Sequence, residues 1–380
     1  MNSRSTLPTA PKRRATEWAF PVALAILVVG WVFKPALSAG ALPGAALIGA
    51  FVGFFIGALV AAFAAVRHAE YLAHRFGEPY GTLILALSAI SLEVETVVTV
   101  MLTGKNNPLF ARDTLFSVLM IVMGGILGVS LLVGELKRHK QSYNLQGAKT
   151  FLSVLIPLAV IALVLPRFTV GGGEGVHPFG EAIFLIVICL LFYGVFIAVQ
   201  MRSHRNYFIS PQALTVEATA PETHAQTRGW PYHTVLFVAY LFLVVLTAKL
   251  FALPLNIGLD RAYVPRELGA LAVAILVLAP EAMAAISAAR VNQMQRSVNI
   301  GLGAAFSTVS LSVPAVLCIG LITHHPVFLG LAPGPMVLLL LTFGVSVLTF
   351  SGGRTNMLQG LVHIALFLTY LIYIVLIFLP

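Results

Sequence analysis

The sequence predicts an all-α polytopic membrane protein with about eleven transmembrane helices, one N-terminal helix followed by two inverted five-helix repeats. Three observations carry this reading. The 380-residue chain is 59% hydrophobic and 10% charged, whereas a soluble domain carries about 25% charged residues. Its apolar stretches reach the about 20 residues that a helix needs to cross about 30 Å of hydrocarbon, and the ten-residue alternation of an outer-membrane barrel is absent. One acid stands near the middle of an apolar stretch in each half, Glu93 and Glu281.

The elements follow in order. The first apolar run, Trp18 to Phe33, is followed by Lys34 and Pro35 rather than by a small-residue cleavage site. It therefore reads as a retained helix, with Trp18 and Trp31 at its interfacial ends. Ten further spans fall at about 41–66, 80–102, 114–136, 150–165, 182–201, 232–250, 267–289, 298–322, 335–350 and 360–379. The one long polar stretch, 202–231, holds Pro211, Pro221, Glu217, Glu222, His204 and His224 without an apolar period, so it reads as a flexible linker. The predicted organisation is 1–40 (N-terminal segment and first helix), 41–201 (first repeat), 202–231 (linker) and 232–380 (second repeat).

Lys and Arg set the orientation. Sixteen of the 23 fall on one side of this topology and seven on the other, which puts the residues before the first helix and the linker in the cytoplasm and Pro380 outside. A five-span unit is odd, so its second copy inserts upside down, the plan of many secondary transporters with a midplane substrate site. Glu93 and Glu281 each lie in the second span of their unit, and Arg112 and Arg296 stand just before the spans that follow. A net charge of +9 would suggest nucleic acid in a soluble protein. Here the basic residues sit at span ends, so no nucleic-acid partner is expected. Arg67, Arg75 and the Lys137–Lys140 cluster instead meet the lipid bilayer. A homo-oligomer is compatible with the sequence.

A carboxylate at membrane depth costs roughly 2.5–3.5 kcal/mol on insertion scales, and it is tolerated when it faces a cavity, a partner or an ion. Desolvation favours a neutral carboxyl and a bound cation favours an ionised one. A group that trades its proton for a cation couples the two fluxes, so Glu93 and Glu281 are read as a shared cation- and proton-binding pair. Pro280, just before Glu281, predicts a helix break that frees carbonyls. Glu95 lies roughly 200° around the helix from Glu93. It joins Glu78, Ser91, Ser117, Ser307, Thr308 and Ser310 as a candidate secondary ligand. Hydroxyls are modest oxygen ligands for hard cations and also ordinary packing residues in membranes. Gly124, Gly125, Gly128, Gly301 and Gly303 read as places of close helix approach that let helices slide.

Other features are discounted. The run from His68 through Glu70 to His74 lacks the zinc-protease spacing and reads as a solvated cap. Gly171-Gly172-Gly173 has no following Lys-Ser/Thr for phosphate, and Cys189 and Cys318 read as small core residues. No nucleotide motif or resident cofactor is expected, and the proton gradient supplies the energy. Two other classes stay open. An ion channel needs a continuous polar pore. A membrane-embedded enzyme using the glutamate pair needs a nucleophile or metal beside it.

The run Gly77-Glu78-Pro79-Tyr80-Gly81-Thr82-Leu83-Ile84-Leu85-Ala86-Leu87-Ser88, followed by Leu92-Glu93-Val94, resembles the bacterial Cha-type calcium(sodium, potassium)/proton antiporters of the cation/calcium exchanger superfamily. Leu278-Ala279-Pro280-Glu281, Asn292-Gln293-Met294-Gln295-Arg296, Thr308 to Pro314 and Ser351 to Asn356 agree with it. The resemblance implies an inner-membrane protein of eleven spans that exports Ca2+, Na+ or K+ against inward protons. It also implies that Glu93 and Glu281 supply the acids of the two alpha repeats. The Gly-Asn-x-x-Glu motif of the wider superfamily is absent, with Ala89-Ile90 and Val277-Leu278 in its place, and Ser307 or Thr308 stands nearest the site of a helical amide. Both departures remove oxygen ligands, which implies a looser or more monovalent site. With only Glu217 and Glu222, the linker is not expected to sense calcium.

Overall fold

A computed structural model describes residues 17–38, 43–76, 80–103, 108–138, 141–169, 179–203, 205–208, 229–262, 266–324, 326–354 and 356–378. They form eleven helical rods. These are α1 (Ala19–Ser38), α2 (Gly44–Phe76), α3 (Tyr80–Thr103), α4 (110–138), α5 (Leu145–Thr169), α6 (179–203), α7 (Trp230–Ala262), α8 (Arg266–Arg290), α9 (Met294–Thr323), α10 (Pro333–Thr349) and α11 (Met357–Phe378). No strand occurs among the described residues; a single antiparallel bridge joins Ser142 to Arg354. Nine of the rods are long and apolar enough to cross a membrane. Of the other two, α3 has 24 residues and α10 has 17.

Four rods carry a π turn: α4 at Ile121–Ile126, α5 at Val160–Val164, α6 at Val199–Ser203 and α9 at Thr308–Ser312. Proline explains two of them. Its ring clashes with the carbonyl four residues earlier. Pro314 acts on Ser310 and Pro166 on Ala162, each inside a π turn whose wider loop absorbs the clash. Pro280, by contrast, sits in a continuous α8, so the expected break does not occur. What remains is the missing N–H, which leaves the Leu276 carbonyl without its intrahelical donor.

Rod α4 is the centre of the bundle and α1 its edge, with 78% of the apolar window buried in the first and 22% in the second. Helices α2 and α7 lie side by side and antiparallel. His68, late in α2, meets His233, early in α7, while Phe51 and Phe55 meet Phe251 at ring separations of 5.1 and 5.9 Å. Helix α1 covers both, with Gly30 against Phe54 and Leu250. Helix α11 runs antiparallel to α4 at backbone contact. A methyl on Gly360 would stand 2.8 Å from Leu132 N and 2.9 Å from Gly128 O, and one on Gly124 would stand 3.2 Å from His363 O. Gly124 and Gly128 thus permit the close approach expected of them, and Gly360, which the sequence reading did not single out, completes it.

Several observed elements outrun the predicted spans. The span read as 41–66 continues to Phe76, and the one read as 232–250 continues to Ala262. Arg67 ended the first apolar count without ending the helix, and α7 continues through Pro254. Regular structure extends into the start of the 202–231 segment. Helix α6 runs to Ser203 and a 3-10 turn spans Arg205–Phe208. Asn299 Nδ2 donates to Phe208 O at 2.7 Å, and Asn144 Nδ2 to Asn206 O at 3.0 Å. Residues 204 and 209–228 of the linker, and Gly171–Gly173, lie outside the described residues.

At the same end Gln141 Nε2 donates to Ala289 O at 2.9 Å, and Asn144 N donates to Gln295 Oε1. These bonds fasten the α4–α5 connection to the α8–α9 turn. Asn292 forms that turn with φ 66°, a left-handed conformation that Asn tolerates better than most residues.

Candidate functional site: two intramembrane glutamates and a π turn

Glu93 lies midway along α3 and is 4% exposed. Its Oε2 accepts a hydrogen bond of 2.8 Å from Thr308 Oγ1, which belongs to the π turn of α9. Ser312, one turn further along the same rod, also faces the Glu93 carboxyl. Glu93 Oε1 and Ser312 Oγ are both enclosed and have no hydrogen-bond partner among the described residues. Glu281, partly buried on α8, lies within electrostatic range of Glu93. No cationic side chain forms an ion pair with either acid among the described residues. Two buried carboxyls without a cationic partner among the described residues would each carry an uncompensated cost if both were bare charges.

The two halves present corresponding parts. Glu93 precedes the π turn that begins at Ile121 by 28 residues, and Glu281 precedes the one that begins at Thr308 by 27. Their chemistry differs. The turn in α9 reads Thr-Val-Ser-Leu-Ser and offers hydroxyls. The turn in α4 reads Ile-Val-Met-Gly-Gly-Ile and offers none; its glycines receive α11.

The remaining predicted residues are distributed as follows. Ser310 Oγ donates to its own helix at Phe306 O, 2.6 Å, and Ser307 Oγ to Ala304 O, 3.0 Å. Ser117 bonds Asp113 O at 2.7 Å and the Tyr370 hydroxyl at 2.6 Å, near the start of α4. Ser91 is partly buried on α3. Glu95 Oε2 is enclosed without a hydrogen-bond partner among the described residues. Glu78 lies outside the described residues. Arg112 pairs with Asp113 at 2.8 Å, while Arg296 is exposed, so the two arginines differ in environment.

Sequence reading places Ser312 on the polar side of this span with Ser307, Thr308 and Ser310 but does not count it among the candidate ligands. The signal was present in its spacing of four from Thr308, which puts both on one side of the rod. It also read His68 as solvated, whereas His68 is buried. Helix α2 continues past the apolar run and packs that residue against α7.

This fold, with its buried acids and internal correspondence, is that of a membrane antiporter rather than an enzyme. The chain belongs to the sodium/calcium exchanger protein family, whose model matches residues 46–202 and 232–376. It is 38% identical over 315 residues to the sodium-potassium/proton antiporter ChaA of Escherichia coli (strain K12), covering 82% of this chain and 85% of that protein. It is 36% identical over 311 residues to the putative ionic transporter y4hA of Sinorhizobium fredii (strain NBRC 101917 / NGR234), covering 82% and 84%. The solved structure of native YfkE superposes with a TM-score of 0.72 at 18% identity, covering 94% of this chain and 99% of that one.

Proposed function

We propose that this antiporter exports cations from a bacterial cytoplasm across the inner membrane in exchange for protons, with Glu93 and Glu281 as the shared carriers. The observation that carries the reading is the Thr308–Glu93 hydrogen bond, which joins a hydroxyl of the second half to the acid of the first beside Glu281. A cation entering there meets two carboxylates and the hydroxyls of Thr308 and Ser312. Those oxygens number six at most, and only if both carboxylates bind through both atoms, the lower limit of the six to eight that calcium takes, so Na+ and K+ are the favoured cargo and Ca2+ a weaker one. The Escherichia coli relative is named for sodium and potassium, and more distant relatives are named for calcium. Binding of the cation displaces protons from the pair, and protons arriving from outside displace the cation. Alternating access exposes the pair to each side in turn. The residues before α1 and the 202–231 linker face the cytoplasm, and residues 41–201 and 232–380 act as inverted halves.

The test is cation-driven proton release from inverted vesicles that carry a pH-sensitive dye, with Na+, K+ and Ca2+ added separately. Glu93→Gln and Glu281→Gln are each expected to abolish a response seen in the wild type. A response to no cation in well-coupled vesicles would overturn the exchange reading. A response that survives both substitutions would remove the carrier pair.

A further inference from the structure

A second cluster of buried titratable groups lies between α2 and α7, apart from the acid pair. His68 is 1% exposed and His233 9%, and their Nδ1 atoms are 2.9 Å apart. Among the described residues, the titratable and charged groups against them are Glu17 at the start of α1, Arg67 and Tyr71 on α2, and Tyr232 and Tyr240 on α7. Glu17 Oε2 accepts from Arg67 and from the Tyr240 hydroxyl at 3.3 Å, and stands 3.5 Å from His68 Nε2. Tyr71 stacks on His233 with ring centroids 3.6 Å apart.

A neutral imidazole has one N–H and one lone pair, and an imidazolium has two N–H groups. An Nδ1–Nδ1 hydrogen bond therefore needs a proton on one ring and a lone pair on the other. The pair keeps that bond when neutral. It also keeps it with one extra proton, since a charged ring can donate to a neutral one and the face of Tyr71 accommodates the charge. A second proton turns both facing atoms into donors and sets two like charges 2.9 Å apart, so the contact opens.

We propose that His68 and His233 form a proton-binding latch, distinct from the transport pair, through which cytoplasmic acid slows exchange. This rests on the exchanger reading and on the orientation that puts the end of α2 bearing Arg67 in the cytoplasm. Helices α1, α2 and α7 are tied as one body at this cluster. Opening the latch divides that body, so the effect falls on the maximal rate rather than on cation affinity.

Inverted vesicles expose the cytoplasmic face to the bath. At saturating Na+ or K+, the wild-type rate is expected to fall several-fold as the bath moves from about pH 8 to about pH 4, a window that starts in the ordinary histidine range and runs below it because burial and mutual repulsion oppose the second charge. His233→Gln keeps a donor for His68 but cannot take the second proton, and it should flatten that profile. Its half-saturating cation concentration should still rise in acid, because protons compete at the glutamates. A rate profile in His233→Gln as steep as that of the wild type overturns the latch. Hydrogen–deuterium exchange of the purified protein over 60–75 and 229–245 needs no transport activity. After correction for intrinsic rates, acid should accelerate exchange in the wild type and not in His233→Gln; equal pH dependence in both also overturns the latch. Vesicles that respond to no cation at any pH would sink the exchanger reading, and the hydrogen-exchange comparison would still decide the latch.

Discussion

Thr308 Oγ1 donates to Glu93 Oε2 at 2.8 Å across the boundary between the two halves of the chain. Glu281 has no matching hydroxyl from α4, because the π turn there is built of aliphatic residues and glycine. The two acids are thus equivalent in position and unequal in surroundings.

Removing that hydroxyl should weaken cation binding without destroying the carrier. A hydrogen bond to a charged group contributes about 1.5–3 kcal/mol, and 1.4 kcal/mol is tenfold in affinity. Thr308→Val is therefore expected to raise the half-saturating cation concentration by about tenfold or more, and Thr308→Ser by much less. Dye dequenching against cation concentration measures both. Equal values for wild type and Thr308→Val would show that the bond does not serve the cation.

Ser310 and Ser312 provide an internal control two residues apart. Ser312 faces Glu93, whereas Ser310 is bonded to its own helix. Ser312→Ala should raise the half-saturating cation concentration several-fold, and Ser310→Ala should leave it within about twofold. The reverse order would place the cation on the other face of α9.

Gly360 packs against backbone atoms of α4, and a methyl there has nowhere to go. Gly360→Ala should destabilise the protein by about 1–3 kcal/mol, the usual cost of overpacking. Gly344, in α10, has open space around its missing side chain. Gly344→Ala should be neutral or mildly stabilising, since Ala is the better helix former. Thermal unfolding in detergent compares them directly.

Tyr143, in the α4–α5 connection, is buried and donates its hydroxyl to Thr349 O at 3.3 Å. Burial pushes its phenol up to about 12. The unfolded phenol titrates near 10, so the folded chain holds the proton more tightly between those values. The resulting stability is fully present below about pH 10 and is lost as pH rises toward 12. Tyr143→Phe should be less stable by about 1 kcal/mol at neutral pH, and the gap should close through that alkaline window. Melting curves across it provide the test; a constant gap would mean that the phenol does not titrate there.

The spans and the two acids were legible because each is local. An apolar run and a lone carboxylate inside it need no knowledge of what packs where. The residues that complete the candidate site were only half legible. Thr308 belonged to a visibly polar face, but the choice of Thr308 and Ser312 over Ser307 and Ser310 depends on how α9 is rotated against α3. The π turn of α9 could have been suspected from Pro314. That of α4 has no proline, and only its contact with α11 marks it. The His68–His233 contact was illegible, since it joins helices 165 residues apart and each histidine alone sits at a polar helix end.

Backbone contact between α4 and α11 also determines where the molecule can flex. At a seam made of Gly124, Gly128 and Gly360, main-chain atoms of each rod lie against the other, with Leu131, His363, Ile364 and Phe367 filling the rest, so one rod cannot slip along the other without driving main chain into main chain. The two rods must travel as a single stiff beam. The flank where Phe51, Phe55 and Phe251 fill the space between α2 and α7 is built the other way, of large rings that can re-sort while the helices stay together. Which elements carry the strokes of a transport cycle is therefore decided by where glycine ends and phenylalanine begins.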